Sequence, residues 1–293
     1  MMRQITAEEV WKRIPERVED SHKGTYGKVL ITAGSRQYRG AAALCTEGAL
    51  RTGAGIVTLA SVEEVFSTVL PRMPEAICLP CAPSAGGSIA ASNSSAILKE
   101  ISNGYTALLM GCGMTNCADT RDLVRSLVPA AGCSVVLDAD ALNACAVSGL
   151  PKPASGRGLI ITPHPGEMAR LTGLSISYIK KEAASAASDF SRANGCVTVL
   201  KQHRTIVASP DGGVWINTSG NSGLARGGSG DILAGMIASL LAQGLSPEDA
   251  AVCAVWLHGR AAEVCSEHIS ETAMLPHDLF GALGALYLDS GRR

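Results

Sequence analysis

The sequence predicts an α/β protein built on a mostly parallel central sheet flanked by helices. Three observations lead there. Short apolar runs alternate with helical patterns along the chain. Hydrophobic residues make up 46% but aromatics only 4%, beside 32 glycines, a composition suited to helices lying close on a buried sheet. Polar and glycine-rich segments follow the apolar runs, where open parallel sheets bind ligands.

Taken in order, Thr6 and Glu9 carry the spacing of a capping box near the N-terminus. Lys28–Gly34 reads as a buried strand ending in a glycine turn, Ala41–Arg51 as a helix of small residues, and Ile56–Ala60 as a second strand, together a right-handed βαβ unit. Thr106–Met110, Ser134–Asp138, Leu159–Thr162 and Val197–Leu200 repeat the strand pattern between helical segments. Thr205–Ala208 and Val214–Ile216 flank a Ser-Pro-Asp-Gly-Gly turn and form a hairpin. Helices follow from Ile232 to Leu241, from Pro247 to Glu267 and after Pro276, and Ser84–Ser95 reads as a surface loop. With no repeat or linker, the expectation is one domain over residues 1–293, its core spanning about 23–280.

The net charge of −1 and the lack of a basic block speak against nucleic acid and membrane surfaces as partners. A polar N-terminus and no bilayer-length apolar stretch give a cytoplasmic expectation. Of ten cysteines only Cys78 and Cys81 form a CxxC, with Pro80 between them and no second pair. Cys45, Cys133, Cys196 and Cys253 lie in apolar runs, so free thiols are expected rather than a zinc site.

The chemistry concentrates in Asn217-Thr-Ser-Gly-Asn-Ser-Gly-Leu-Ala-Arg-Gly-Gly-Ser-Gly-Asp231, a side-chain-poor loop running into a helix. Free amides and the helix dipole at Gly228, Ser229 and Gly230 form an anion site, most plainly for phosphate. Asp231 reads either as a helix cap or as an acid placed to take a proton from an attacking hydroxyl. Asp138 and Asp140 follow a strand and read either as holders of Mg²⁺ through water or as a loop anchor and a helix cap. Pro163 and Pro165 fix the backbone around His164, which suggests a placed ligand contact. Glu167 starts the next helix, and Lys201 offsets phosphate charge or is a solvated strand end. Gly34-Ser-Arg-Gln-Tyr-Arg-Gly40 closes over a ligand through Ser35 and Gly40–Ala41, or is a simple turn. His258 reads as buried and hydrogen-bonded.

Gly-Asn-Ser-Gly-Leu-Ala-Arg-Gly-Gly-Ser-Gly-Asp231 resembles the signature of the ADP/ATP-dependent NAD(P)H-hydrate dehydratases of the ribokinase-like superfamily. Lys23-Gly-Thr-Tyr-Gly27, Leu137-Asp-Ala-Asp-Ala-Leu-Asn143 and Pro163-His-Pro-Gly-Glu167 resemble further family motifs in order, from about Lys23 to Leu279. Gly111-Cys-Gly-Met-Thr115 stands where the family usually carries Gly-Pro-Gly-Leu-Gly, and Gln202 replaces a glycine of the family's Lys-Gly-x-x-Thr.

The resemblance implies a ribokinase-like three-layer fold. It also implies dehydration of the S-epimer of NADH hydrate and NADPH hydrate, driven by ADP or ATP with Mg²⁺. Substrate contacts fall on Ala41, Gly113, His164 and Asp231, with Asp231 the base. Nucleotide contacts fall on Lys201, Gln202, His203, Arg204, Thr205 and Gly230. A homo-oligomer, often a tetramer, and a separate epimerase are implied as well. The alternatives are a small-molecule kinase of the same fold, acting on a hydroxyalkyl heterocycle, and a nucleotide-binding regulator without catalysis.

Overall fold

The computed structural model describes residues 2–292. In chain order it runs β1 (Arg3–Gln4), α1 (Ala7–Arg13), β2 (Lys28–Thr32), α2 (Arg39–Arg51), β3 (Ile56–Ser61), α3 (Glu63–Val69) and β4 (Ile77–Pro80). Next come α4 (Ser94–Ile101), β5 (Ala107–Met110), α5 (Ala118–Ala130), β6 (Ser134–Leu137), α6 (Asp140–Ser148) and β7 (Leu159–Ile161). The chain continues through α7 (Pro165–Thr172), α8 (Ile176–Lys181), α9 (Ala183–Asn194), β8 (Val197–Leu200), β9 (Ile206–Ala208) and β10 (Val214–Ile216). It closes with α10 (Ser229–Ala242), α11 (Pro247–Ser266) and α12 (Leu279–Asp289).

All ten strands belong to one sheet in the order β1-β10-β9-β8-β7-β6-β5-β2-β3-β4. Every neighbouring pair is parallel except the two that β9 makes, with β8 and β10. The strands read from apolar runs are present, each trimmed at most by a residue or two where it turns toward the cleft. Two were not anticipated. β4 has exposed ends and stops at a proline, and β1 is a polar pair held parallel to Trp215 and Ile216 of β10. Residues 84–95 are also less superficial than their composition suggests. Pro83 bridges to Ile89, Ser88 and Ile89 are buried, and α4 already begins at Ser94.

From β2 the chain steps to β3 and β4, then returns to lay β5 on the other side of β2 and proceeds through β6 and β7 to β8. Right-handed crossovers place the helices of these two progressions on opposite faces. Accordingly α2, α10 and α11 pack together, and α5, α6 and α7 form a separate contiguous row. The reversal between β2 and β5 is the switch point at which such sheets open a crevice beyond their carboxyl ends. There the amide of Gly34, after β2, donates to the carbonyl of Cys112, after β5, at 2.8 Å.

α10 lies over β2, β5 and β6 and packs most extensively on α2. Its close approach needs glycine on both helices. A Cβ on Gly235 would stand 2.1 Å from the Cys45 carbonyl oxygen, and one on Gly48 would stand 2.7 Å from that of Ile232. Backbone cannot yield as a side-chain tip can, so Gly235→Ala should fall at the upper end of the roughly 1–3 kcal/mol typical of overpacking. Thermal denaturation checks this; an unchanged midpoint would mean that the helices part without cost.

Candidate active site

The carboxylate of Asp231 is carried on the first turn of α10, and the residue at the cap position is Gly228, in the left-handed region with φ 101°. No side chain caps this helix, so the capping reading of Asp231 does not hold and its carboxylate is free to serve something else. Gly228 has no room for a side chain, since a Cβ there would meet Leu44 of α2 at 2.5 Å. At the other end of the same short loop, a Cβ on Gly230 would lie 3.4 Å from Lys201 Nζ. The loop therefore reaches from α2 to the end of β8, and the first-turn amides of α10 are left without intrahelical acceptors.

Beneath Asp231 sits a buried polar cluster built from the ends of β5, β6, β7 and β8. Asp138 Oδ1 accepts from the Thr162 hydroxyl at 2.6 Å and from Lys201 Nζ at 2.6 Å. Asp138 Oδ2 faces the Cys112 thiol at 3.7 Å. Burial, reinforced by the charge of Asp138, pushes Asp231 up to about 6. Burial likewise pushes Glu167 up to about 7, with Lys201 opposing. Lys201 is itself raised, because Asp138 and Glu167 outweigh the effect of its burial. Two carboxyls displaced toward neutrality beside one ammonium mark this cluster as a candidate site.

Asp140 plays a different part. Its carboxylate accepts from the Thr115 amide at 2.8 Å and so ties the segment after β6 to the loop after β5, each with one strained residue, Ala139 at φ 49° and Thr115 at φ 67°. Gly111 in that loop admits no Cβ, which would come within 1.8 Å of the Asp138 carbonyl oxygen. Asp138, tied to Lys201 and Thr162 at the ends of neighbouring strands, follows its anchoring reading, whereas Asp140 does not cap the following helix: α6 has no side-chain cap, and the Asp140 carboxylate anchors the Thr115 amide instead. The remaining cluster of possible donors, Cys112, Asp138 and Asp231, includes a thiol, a poor partner for a hard cation. The described residues thus do not fit an all-protein Mg²⁺ cage.

His164 caps α7. Its Nδ1 accepts from the amides of Gly166 at 2.9 Å and Glu167 at 3.2 Å, while Glu167 Oε2 accepts from the His164 amide at 2.8 Å. Accepting at Nδ1 leaves the proton on Nε2 of the neutral ring, and burial and then the Lys201 charge lower its pKa. The half-exposed imidazole stands at the cavity wall with its Nε2 3.5 Å from Glu167 Oε1.

A cavity of about 680 Å³ opens beside this cluster, lined by His164, Lys201, Gln202, His203, Thr205, Ser229 and Gly230 among others. Arg204 is exposed and off this wall, and Gly228 lies beneath the loop against Leu44 and Pro276. Ala41 and Gly113 meet on the α2 side, where a Cβ on Gly113 would lie 2.8 Å from that of Ala41. Ser35 holds its own turn by accepting from the Tyr38 amide, which favours the plain-turn reading of that segment.

Asn217, Leu233 and His258 also line the cavity, and the sequence did not mark them as contacts. Burial takes His258 down to about 4. Its Nε2 and the Ser229 hydroxyl are buried without a partner among the described residues. The signal for Asn217 was its place at the head of the glycine-rich loop, directly after β10. His258, inside an apolar helix, gave none.

A switch-point crevice, a glycine cradle at a helix N-terminus and a free acid beside it define a nucleotide-handling protein of the ribokinase-like class. The family model described as NAD(P)H-hydrate dehydratase matches residues 29–284, and the chain belongs to that family. An ADP-dependent (S)-NAD(P)H-hydrate dehydratase of Bacillus subtilis is 37% identical over 274 residues, covering 94% of each chain. A bifunctional NAD(P)H-hydrate repair enzyme of Moorella thermoacetica is 36% identical over 96% of this chain, which spans 53% of that relative, about half its length. The crystal structure of the ADP/ATP-dependent NAD(P)H-hydrate dehydratase from Bacillus subtilis, co-crystallised with ATP/Mg²⁺, superposes with a TM-score of 0.86 at 34% identity and covers 98% of both chains.

Proposed function

We propose that this protein dehydrates the S-epimer of NADH hydrate and NADPH hydrate back to the reduced dinucleotides at the expense of ADP, releasing AMP and phosphate. One observation carries the reading. The Asp231 carboxylate, without a capping role, directly follows a glycine cradle bordering the 680 Å³ cavity and lies within 4.8 Å of Cys112, the neighbour of Gly113. The nucleotide takes the cavity, with Lys201, Gln202, His203, Thr205 and Gly230 as its contacts; the hydrate takes the side of Ala41, Gly113 and His164. Mg²⁺ arrives with the nucleotide as part of that substrate.

Hydroxide is a poor leaving group and phosphate a good one. Asp231 accepts the proton of the hydrate's hydroxyl, whose oxygen attacks the terminal phosphorus of ADP, and the bond to AMP breaks. The amides of Gly228 to Gly230 hold the transferring phosphoryl oxygens. Loss of phosphate and a ring proton then restores the double bond. The setting we infer is a single-domain, cytoplasmic homotetramer working beside a separate epimerase. The bifunctional names of the longer relatives support a neighbouring repair step.

The test is to incubate the protein with NADH hydrate and ADP or ATP and follow recovery of the near-ultraviolet absorbance of the dihydronicotinamide. Recovery that needs nucleotide is the expected result. A phosphorylated product that keeps its phosphate would instead mark a kinase, and nucleotide binding without turnover a regulator.

A further inference from the structure

We propose that Cys112, Asp138 and Asp231 form an inhibitory site for a thiophilic divalent cation, Zn²⁺ above all. One donor atom from each lies within 4.8 Å of the other two, and Cys112 Sγ is 3.7 Å from Asp138 Oδ2. Tetrahedral zinc, with sulfur at about 2.3 Å and carboxylate oxygen at about 2.0–2.2 Å, spaces such ligands roughly 3.5 Å apart. The Cys112–Asp138 pair already stands at about that spacing, and the Asp231 oxygen has to close in from no more than 4.8 Å.

The donor set selects the metal. A thiol with two carboxylates suits zinc or cadmium and is foreign to magnesium. Asp138 keeps Lys201 and Thr162 on Oδ1, which leaves Oδ2 for the ion. Asp231 lies within 4.8 Å of the other two donors and can turn to a metal without giving up a cap.

On binding, the sulfur–metal bond replaces the sulfur–proton bond and the proton leaves to solvent. Thiolate and two carboxylates face the dication, with the Lys201 ammonium beside Asp138, so the charges balance. A metal-bound Asp231 cannot accept a proton, so occupancy stops turnover. Binding itself is independent of what the enzyme acts on; only the inhibition rests on the proposed dehydration.

Cadmium reports a thiolate ligand through an ultraviolet charge-transfer band, so Cd²⁺ is titrated into the full-length protein without nucleotide and then displaced with Zn²⁺. One equivalent should produce the band. Cys112→Ser should remove it and weaken Zn²⁺ binding at least about tenfold, the loss of one ligand. Asp231→Asn should weaken binding similarly while keeping the band, and Cys117→Ser, a half-buried thiol outside the cluster, should change neither. A band that survives Cys112→Ser, one that disappears with Cys117→Ser, or the absence of saturable binding overturns the proposal. If Cys112→Ser does not fold, the Asp231→Asn and Cys117→Ser titrations still decide it. Metal bound at Cys112 in a protein that shows no dehydration would count against the proposed function and leave this site standing.

Discussion

Asp231→Asn is expected to lower the rate of NADH recovery by about a thousandfold, within the 10²–10⁴ range attributable to a positioned base. Nucleotide affinity should change little, because the amide keeps the size of the side chain and the cradle is made of backbone. Comparing turnover with ADP binding on the same preparation separates the two. A variant that keeps most of its rate would remove Asp231 from the mechanism; one that loses ADP binding as well would place it in the nucleotide site instead.

The same substitution should stabilise the fold at alkaline pH. The folded carboxyl holds its proton to about pH 6 against an ordinary 3.8, mainly through burial. Between those values the folded state binds more protons than the unfolded one. Its contribution to stability is therefore complete below about pH 3.8 and is lost as the pH rises through about 6. The amide of the Asp231→Asn variant would escape that loss, a gain on the order of 1–3 kcal/mol at pH 8. In the wild type, activity should rise over the window in which stability falls, since the base acts ionised. Denaturant melts of both proteins at pH 5 and pH 8 check this. Equal stabilities at pH 8 would mean that the charge sits there without strain.

Lys201→Met should be the most damaging single change to the fold near the site. Asp138 is 2% exposed and would lose Lys201, its one ion-pair partner among the described residues. Breaking a buried pair from one side typically costs about 3–5 kcal/mol, and at roughly 2–4 °C per kcal/mol the melting point should fall by at least about 6 °C. Adding Asp138→Asn should recover part of the loss, because the orphaned charge goes with it. If the single and double variants melt alike, the penalty does not come from that carboxylate.

Most of the sheet was legible in the chain because its strands are buried on both faces and read as continuous apolar runs, as in Val29–Ile31 or Val135–Leu137. The edge strands escaped: Arg3–Gln4 of β1 has no apolar residue at all, and the short run Ile77–Leu79 of β4 breaks off at Pro80 inside a cysteine- and proline-rich stretch. Within the site, the glycine cradle and Asp231 could be read because the signal is local. The Lys201–Asp138 pair could not, since 63 residues separate partners that only the strand order brings together. The prolines around His164 told half the story. They fix the ring as expected, but Pro165 occupies the first helical position and the imidazole also serves as that helix's cap.

The mating of α2 and α10 through Gly48 and Gly235 bears on how the enzyme moves. Ala41 rides on the first helix and Asp231 on the second, so both are carried by one closely packed helix pair. Opening for ligand exchange then falls to the peripheral loops, above all residues 217–226. These are moored to α11 and to Glu271 by detachable hydrogen bonds such as Gly220 to Glu263 and Ser222 to Glu271. Reach between proton acceptor and hydroxyl is set when the chain folds, and each catalytic cycle spends its motion on letting molecules in and out.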